Sequence, residues 1–374
     1  MLSNFSTLTD RDVRGKRVLL RLDVDEPLEN GVLQSVYRID RAKKTIEFLQ
    51  TQKAKTLIIG HIGRDPKETL RPVFEYLKRS FSVEFVSTIE EAKQRMVSLK
   101  DGGLLLLENL RQYPGETAND VAFAKELASL ADLYVNEAFA VSHREHASIV
   151  GVPKFLPSFA GFVFSDEVLH LSKAFSLLHP ALVILGGAKF ETKTPLIERF
   201  LDTADHVYVC GALSNDIFHA RGYGVGTSLI SKCEISEKLL GSPKLHVPSD
   251  VIVHTATGPV EKGVDTVADD ERTVDVGSES LSDLRVLIEK AAFVLWNGPV
   301  GEYENGFDQG TIMLAQMLAE CDAETIIGGG DSIVMVSKLG LMERFTFVST
   351  GGGAMLEFLA KETLPGIEAL KARN

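Results

Sequence analysis

Short apolar runs alternate with segments of helical periodicity along most of the chain. In the first half, leucine-rich and β-branched runs predict strands at Arg17–Asp23, Thr56–Ile62, Val83–Val86, Leu104–Glu108 and Leu133–Asn136. Between them, apolar residues spaced for one face of a helix predict helices at Ile39–Leu49, Pro72–Leu77 and Asn119–Ala131. Repeated strand–helix units of this kind predict a mostly parallel sheet covered on both faces.

The same alternation returns in the second half without repeating the first half's sequence. Strands are predicted at Leu182–Leu185, His206–Cys210, Lys244–Val247, Phe293–Trp296, Thr325–Ile327 and Thr346–Ser349. Helices are predicted at Pro195–Leu201, Ser282–Ala292, Thr311–Ala319, Ile333–Leu339 and Ala354–Leu359. The fold class is therefore α/β, with two Rossmann-like parallel-sheet domains.

Breaks in the pattern predict the domain limits. Gly151–Gly161 is rich in Gly and Pro, and Asp166–Leu178 looks like a helix joining the two halves. Leu364-Pro365-Gly366 interrupts the final helix. We therefore expect domains at 1–158 and 159–360, with a separate tail at 361–374.

The composition is that of an ordinary globular chain, with a net charge of −12 over 374 residues. Such acidity argues against broad binding to nucleic acid or to a membrane surface, although a local arginine cluster can still hold a small anion. No apolar run approaches a membrane span, and the polar Met1–Arg17 segment does not resemble a secretory signal. Three scattered cysteines predict small buried residues in a reducing compartment.

The most informative stretch is Thr325–Ser332, where an apolar strand runs into three glycines, an acid and a hydroxyl. Glycines at a strand–helix turn let backbone N–H groups approach an anion, and the helix dipole favours it. Asp331 could hold Mg²⁺, which prefers a carboxylate with phosphate oxygens. Taken alone, the stretch is equally compatible with a tight turn before a helix that Asp331 caps.

Ligands of open α/β sheets bind beyond the carboxyl ends of the strands, and polar residues collect at those points in both halves. The first half carries Arg and His there, whereas the second carries glycine-rich turns with Lys189 and Lys193. A solvated surface charge is the ordinary role of a single such Arg, and a hydrogen-bonded structural role is the ordinary one of a single His. Their shared position at strand ends favours an anion site instead.

From about Val13 onwards, the chain resembles the phosphoglycerate kinase family in an ordered set of motifs. These are RLDVDEPL (21–28), YRI (37–39), GHIGR (60–64), LLENLR (106–111), YVNEAFAVSHREHAS (134–148), LGGAKFETK (185–193), LWNGPVGEYE (295–304), IIGGGDS (326–332) and STGGGAMLEFL (349–359). Their order along the chain is far more specific than any one of them.

The resemblance implies a hinge-bending kinase of two lobes joined by a helix. The family transfers a phosphoryl group reversibly between 1,3-bisphosphoglycerate with ADP and 3-phosphoglycerate with ATP. The N-terminal lobe would take the glycerate, the C-terminal lobe Mg²⁺ and the nucleotide, and the tail would return to the N-terminal lobe. The resemblance also favours a cytoplasmic monomer that acts on small molecules.

On the glycerate side, the resemblance places Asp23 and Asp25 at the hydroxyl and carboxylate of the substrate. It assigns the substrate phosphate to a basic patch and has Arg38 reach the transferring group. The patch consists of Arg38, His61, Arg64, Arg111 and Arg144. Guanidinium groups suit this role because they are permanently charged and bind phosphate in a bidentate manner.

On the nucleotide side, Lys189 and Lys193 would line the phosphate path and, with Arg38, form the catalytic set, in which Lys193 and Arg38 stabilise charge on the transferring group. Glu304 would bind the ribose, and Asn297 would lie near the phosphates. The phosphates themselves would meet Gly329, Gly330, Asp331 and Ser332, with Asp331 as the protein ligand of Mg²⁺. No general base is required, because the nucleophile is already an anion at neutral pH.

Several residues depart from the family pattern. Asp25 stands where Asn is usual, and Glu26 where a small or apolar residue is usual. Asp65 replaces a Pro, Cys210-Gly211-Ala212 replaces three glycines near the adenine, and Val276-Gly277-Ser278 replaces a Cys/Ile-Gly-Pro stretch. An acid facing an anionic substrate is unfavourable unless it is offset.

Two other functions therefore remain open: a diverged kinase of another small phosphorylated or carboxylated acid, and a weakly active nucleotide-binding protein. A dinucleotide dehydrogenase is disfavoured, because no G-x-G-x-x-G follows the first strand.

Overall fold

A computed structural model describes residues 5–231 and 233–371. The chain divides into two compact units, one formed by residues up to 169 together with those from 361, the other by residues 170–360. No helix within the described ranges is long and apolar enough to cross a membrane.

The first unit contains eight strands within the residues that the structure describes. They are β1 (Arg17–Arg21), β2 (Leu28–Glu29), β3 (Val32–Leu33), β4 (Lys55–Ile59), β5 (Val83–Val86), β6 (Leu104–Leu107), β7 (Leu133–Asn136) and β8 (Ser158–Ala160). Its helices are α1 (Tyr37–Thr51), α2 (Arg71–Leu77), α3 (Ile89–Ser98), α4 (Pro114–Thr117), α5 (Val121–Ala128) and most of α6 (Phe162–Leu171).

Six of these strands form a parallel sheet in the order β5-β6-β4-β1-β7-β8. Strands β6 and β7 are buried along their whole length, as expected for a sheet covered on both faces. One hydrophobic cluster packs α1 and α2 against the sheet, with Ile39, Ile46 and Leu49 of α1 fully buried. The strands predicted for this half are confirmed.

In the described part of the second unit there are nine strands. They are β9 (Ala181–Leu185), β10 (His206–Val209), β11 (Leu245–His246), β12 (Asp250–Thr255), β13 (Gly258–Gly263), β14 (Arg272–Val276), β15 (Phe293–Asn297), β16 (Glu324–Gly328) and β17 (Phe347–Val348). Its helices are α7 (Phe190–Thr203), α8 (Ala212–Ala220), α9 (Glu237–Leu240), α10 (Ser278–Lys290), α11 (Gln309–Glu320), α12 (Gly330–Lys338) and α13 (Gly353–Lys361).

Its main sheet is also parallel, in the order β11-β10-β9-β15-β16-β17. Trp296 of β15 is fully buried, and its indole N–H donates to the carbonyl oxygen of Gly298 at 2.8 Å. This bond fixes the loop that follows β15 at the carboxyl end of the sheet. The predicted fold class, with two parallel-sheet domains, is confirmed.

The antiparallel sheet β13-β12-β14 was not predicted from the sequence. Strand β13 contains glycine, proline and two charged residues and is largely exposed, so its composition does not favour a strand. Pairing with β12 overrides that local preference.

Several helices begin earlier than their apolar periodicity predicts, and two of them, α7 and α12, carry predicted site residues. Helix α7 starts at Phe190 rather than Pro195, because Pro195 removes only one backbone hydrogen bond from an otherwise regular helix. Helix α12 starts at Gly330, which places Asp331 and Ser332 in its first turn.

The units divide after Leu169 rather than after Ser158. The reason is that β8 pairs with β7, while the buried carboxylate of Glu137 accepts the backbone N–H of Phe164 in α6. At the other end of the chain, the helix α14 (Pro365–Lys371) packs on residues 147–151, and the N–H of Gly366 donates to the carbonyl of Ser142 at 2.8 Å.

Candidate active site

The first unit gathers most of the predicted glycerate-side residues at one edge of its sheet. Strands β6, β4, β1 and β7 are neighbours, and the residues follow their carboxyl ends. Asp23 and Asp25 follow β1, His61 and Arg64 follow β4, Arg111 follows β6, and Arg144 follows β7. Arg38 comes from the first turn of α1.

His61 is a buried, neutral donor. Its side chain is 2 % exposed, and the Nδ1 atom lies 3.1 Å from a guanidinium nitrogen of Arg21. Because Arg can only donate, Nδ1 accepts and the ring proton sits on Nε2. Burial lowers the pKa of His61 far below its usual value, and the charges of Arg21, Arg111 and Arg144 lower it further. No described group accepts a hydrogen bond from Nε2.

Asp23 is the buried partner of Arg38. The Nε atom of Arg38 lies 3.6 Å from Oδ2 of Asp23, and one terminal nitrogen donates to the carbonyl oxygen of Asp25 at 2.7 Å. Oδ2 of Asp23 is buried and accepts no hydrogen bond from the described residues. Burial raises the pKa of Asp23, whereas the Asp23 carboxylate raises the pKa of Arg38, which is therefore charged at every working pH.

Asp25 lies between these groups. Its Oδ1 atom accepts the N–H of Gly63 at 2.8 Å, and its Oδ2 atom is 3.6 Å from Nε2 of His61. An acid thus approaches the one donor nitrogen of His61. This is the position where the family usually has Asn, so the departure affects the substrate side directly.

The remaining arginines differ in their surroundings. Arg111 and Arg144 are partly buried, and burial together with the charge of Arg144 lowers the pKa of Arg111, which shows that the cations crowd one another. An anion would relieve that repulsion. Arg64 is exposed, and its side chain makes no hydrogen bond or ion pair with any described residue.

Arg21 was not predicted as a site residue. It is fully buried, donates to Ser148 Oγ at 2.9 Å and fixes the tautomer of His61. Ser148 in turn donates to Glu116, whose carboxylate is 1 % exposed. A charged residue within an apolar strand, as in RVLLRLD, was the available signal, because such a charge must find partners inside the protein.

In the second unit, β16 runs through Gly328 into the first turn of α12. Gly329 has φ 98°, and a Cβ there would lie 3.2 Å from the backbone nitrogen of Gly298 and 3.5 Å from the amide of Asn297. The first N–H groups of a helix have no partner within it, so those of Gly330, Asp331 and Ser332 can meet an anion. Asn297 lies beside the same turn.

The hydroxyl of Ser332 suggests a phosphate ligand, but the structure places this hydroxyl inside the protein. The side chain is fully buried, and its Oγ atom has no hydrogen-bond partner among the described residues. The group of Ser332 that can face a phosphate is its backbone N–H, at the helix terminus.

Lys193 and Lys189 occupy the start of α7. Lys193 is 7 % exposed, and its ammonium group donates to the carbonyl of Gly186. A Cβ built on Gly187 would lie 3.3 Å from the Nζ atom of Lys193. Burial lowers its pKa to about 8, while Cys210 and Asp331 act in the opposite direction. Lys189 is the exposed N-cap residue of α7, with φ 67°.

A cavity of about 320 Å³ opens next to these groups. Its walls include Gly187, Ala212, Leu229, Val276, Glu304 and Asp331. Glu304 and Asp331 are exposed, and the hydroxyl of Tyr303 donates to Oδ1 of Asp331 at 3.0 Å. The cavity therefore joins an apolar wall to polar groups, which is the usual character of a small-molecule pocket.

The unusual Cys210-Gly211-Ala212 turn is compatible with this pocket. Cys210 is buried behind the wall, and Gly211 has φ 62° with Gly187 N and Pro299 O within 3.0 Å of a Cβ built there. From the stretches that depart from the family pattern, Gly211, Ala212 and Val276 line the cavity.

Asp331 suits a magnesium ion bound mainly by phosphate oxygens. Its carboxylate is exposed at the start of α12, where the cavity ends. Within the described ranges, no cluster of three or more His, Cys, Asp or Glu is arranged to hold a metal. One carboxylate with phosphate oxygens and waters is a usual coordination for Mg²⁺, so the residues fit this ion.

The family model "Phosphoglycerate kinase" matches residues 8–362. The chain belongs to the phosphoglycerate kinase family. It is a glycolytic phosphoryl-transfer enzyme of that family, and the resemblance inferred from its motifs is confirmed.

Relatives of known family match this chain along almost their whole length. The chain is 37 % identical to "Phosphoglycerate kinase" of Wolbachia sp. subsp. Drosophila simulans (strain wRi), with 99 % of each chain covered. It is 38 % identical to that of Thermus thermophilus, with 98 % of this chain and 99 % of the relative covered.

Solved structures agree. The phosphoglycerate kinase of Coxiella burnetii superposes with a TM-score of 0.85 at 34 % identity, covering 99 % of each chain. The phosphoglycerate kinase of Pyrococcus horikoshii OT3 superposes with a TM-score of 0.88 at 30 % identity, covering 98 % of each chain. ATP or ADP is the co-substrate that the family implies.

Proposed function

We propose that the chain transfers a phosphoryl group reversibly between 1,3-bisphosphoglycerate with ADP and 3-phosphoglycerate with ATP, by way of hinge-bending closure. The observation that carries the glycerate assignment is a pair of buried polar atoms that make no hydrogen bond with the described residues, Oδ2 of Asp23 and Nε2–H of His61, although each has a charged neighbour at 3.6 Å. The first is an acceptor suited to a hydroxyl, and the second is a donor suited to a carboxylate. Arg38, Arg64, Arg111 and Arg144 supply charge for the phosphate.

The nucleotide is assigned to the second unit. Adenine would occupy the cavity, Glu304 the ribose, and the N–H groups of Gly330, Asp331 and Ser332 the phosphates. Lys189, Lys193, Asn297 and Gly329 complete the surroundings of the phosphate chain. Asp331 would hold Mg²⁺, which neutralises charge on the phosphates when bound.

Catalysis in this proposal is positioning and charge stabilisation. The glycerate carboxylate or the nucleotide phosphate is already an anion, so no side chain has to remove a proton. Arg38 and Lys193 stabilise charge on the transferring group. We also propose that the protein is a cytoplasmic monomer acting on small molecules, as the resemblance of its motifs to the family favours.

The deciding experiment is a coupled assay with 3-phosphoglycerate and MgATP on the purified protein. Turnover that saturates with both substrates supports the proposal. Absence of turnover at millimolar substrate would contradict it. Calorimetric binding of MgATP without turnover would instead support the weakly active nucleotide-binding alternative.

A second candidate is a kinase of another small acid, and Asp25 is the observation that favours it. Its carboxylate is 3.6 Å from Nε2 of His61, where a substrate carboxylate would bind. Asp25→Asn removes one like charge at a side chain that is 36 % exposed. We expect KM for 3-phosphoglycerate to fall about fivefold, since such a charge is worth about 1 kcal/mol in a solvated cleft.

The size of that change separates the two candidates. A gain of more than about 100-fold in kcat/KM for 3-phosphoglycerate, some 2.7 kcal/mol, would mean that the wild-type site is not built for this acid. Asp65→Asn is the control, because this exposed acid bonds only to its own loop. It should leave KM unchanged.

Two glycine substitutions separate folding from phosphate binding. A Cβ on Gly186 would lie 2.2 Å from the carbonyl oxygen of Pro299, so Gly186→Ala should lower the free energy of unfolding by about 1–3 kcal/mol. A Cβ on Gly330 would meet nothing within 4 Å. Gly330→Ala should therefore keep its stability in denaturant titration while raising KM for MgATP about tenfold, because the methyl group obstructs the helix terminus. If Gly330→Ala and the wild type have equal KM values for MgATP, the assignment of the phosphates to this turn is wrong.

A further inference from the structure

Helix α1 begins at a point where the local sequence offers little to cap it. The N-cap residue is Val36, whose side chain cannot accept a hydrogen bond. Ser35 Oγ accepts the N–H of Tyr37 at 3.2 Å, and the next N–H, that of Arg38, needs another acceptor.

That acceptor comes from outside the helix. Oε1 of Glu26 receives the N–H of Arg38 at 2.7 Å. Glu26 is 5 % exposed, and its own N–H is tied to the carbonyl of Val24 at 2.9 Å. A buried carboxylate at a helix N-terminus forms a charge-assisted bond that the helix dipole strengthens.

The segment from Asp23 to Glu26 consequently holds Arg38 at three points. Asp23 faces Nε of the guanidinium, the carbonyl of Asp25 accepts from a terminal nitrogen, and Glu26 holds the backbone. The first two contacts set where the guanidinium lies, and the third sets where its side chain starts. Misplacement of a charge-stabilising group by about 1 Å can reduce a rate about 100-fold.

We propose that Glu26 is a positioning residue for Arg38, whose backbone N–H it holds so that the guanidinium leaves helix α1 in one fixed direction. The proposal rests on the function proposed above, in which Arg38 stabilises charge on the transferring group. Burial raises the pKa of Glu26, and the bond from Arg38 and the Arg38 charge oppose that rise. Asp23 and Ser35 are the other polar groups that face it.

The test compares Glu26→Leu, which removes the acceptor, with Glu26→Gln, which keeps one without the charge. Glu26→Leu should lower kcat 10–100-fold with KM for MgATP unchanged, since the nucleotide binds in the other unit. Glu26→Gln should stay within about threefold of the wild type. Asp120→Ala is the matched control, because it removes a carboxylate cap from α5, where Oδ1 accepts the N–H of Phe123 at 2.8 Å. It should lower the melting temperature without changing kcat.

A double-mutant cycle distinguishes positioning from a loss of stability. In an Arg38→Ala background, Glu26→Leu should cause no further loss of kcat, because the group it positions is absent. Additive losses, or an unchanged kcat in Glu26→Leu alone, would overturn the proposal while leaving the phosphoglycerate kinase reaction intact. If the wild type shows no turnover, the proposed function fails and this role of Glu26 fails with it.

An NMR measurement checks the contact without any substrate. The amide proton of Arg38 should resonate downfield in the wild type, shift as Glu26 titrates, and lose both properties in Glu26→Leu. A pH-independent Arg38 amide would show that Glu26 does not hold it.

Discussion

Replacing Arg38 with alanine is expected to lower kcat for phosphoryl transfer by about 10²–10³, the usual loss when one preorganised charge-stabilising donor is removed. The guanidinium has its orientation set by Asp23 and by the carbonyl of Asp25, so it is in place before substrate binds. Arg38→Lys should recover only part of the rate, because an ammonium group lacks the planar fork that fits phosphate oxygens. Steady-state kinetics with 3-phosphoglycerate and MgATP measure both variants.

Lys44→Ala is the control for this experiment. Lys44 is exposed on the same helix, and its removal changes the net charge by the same amount as Arg38→Ala. It should leave kcat unchanged. Arg38→Ala also leaves the buried carboxylate of Asp23 without its nearest cation, so its melting temperature should be recorded. If a folded Arg38→Ala variant has a kcat within threefold of the wild type, Arg38 is not a catalytic residue.

The second large effect concerns Lys193, whose removal should lower kcat by about 10²–10³ for the same reason. Its burial adds a pH signature. Because the pKa of Lys193 is lowered to about 8, the free enzyme carries this charge below pH 8 and loses it above. We therefore expect kcat/KM for MgATP to fall about tenfold per pH unit above about pH 8, since kcat/KM reports ionisations of the free enzyme.

Lys193→Arg provides the matched comparison. Arginine stays protonated at these pH values, so its profile should be flat up to pH 10 even if the longer side chain lowers the absolute rate. An alkaline limb that persists in Lys193→Arg would assign the ionisation to another group.

The sequence determined the parallel strands of both sheets, apart from β8, which lies in the stretch predicted as a domain boundary, and it determined the order of the motifs. The reason is local: buried strands such as Leu104–Leu107 must be apolar throughout, and the turn before α12 needs glycine at position 329, where φ is 98°. The same order of motifs was sufficient to identify the family.

Only the tertiary structure decided the protonation states of the site residues and the groups that each of them contacts. Asp25 and Glu26 are consecutive acids in the sequence, but one approaches His61 while the other is buried against the start of α1. Likewise, the sequence suggests the hydroxyl of Ser332 as a phosphate ligand, whereas the structure buries that side chain and leaves the backbone N–H of Ser332 at the helix terminus. The strand β13 forms because β12 pairs with it, against its own composition.

These outcomes depend on contacts between residues that are distant in the chain. A pKa is set by burial and by neighbouring charges, and those neighbours come from other strands and helices. Spacing in the sequence can therefore indicate which residues collect at the edge of a sheet. It cannot indicate which of two adjacent acids faces a substrate and which holds a helix.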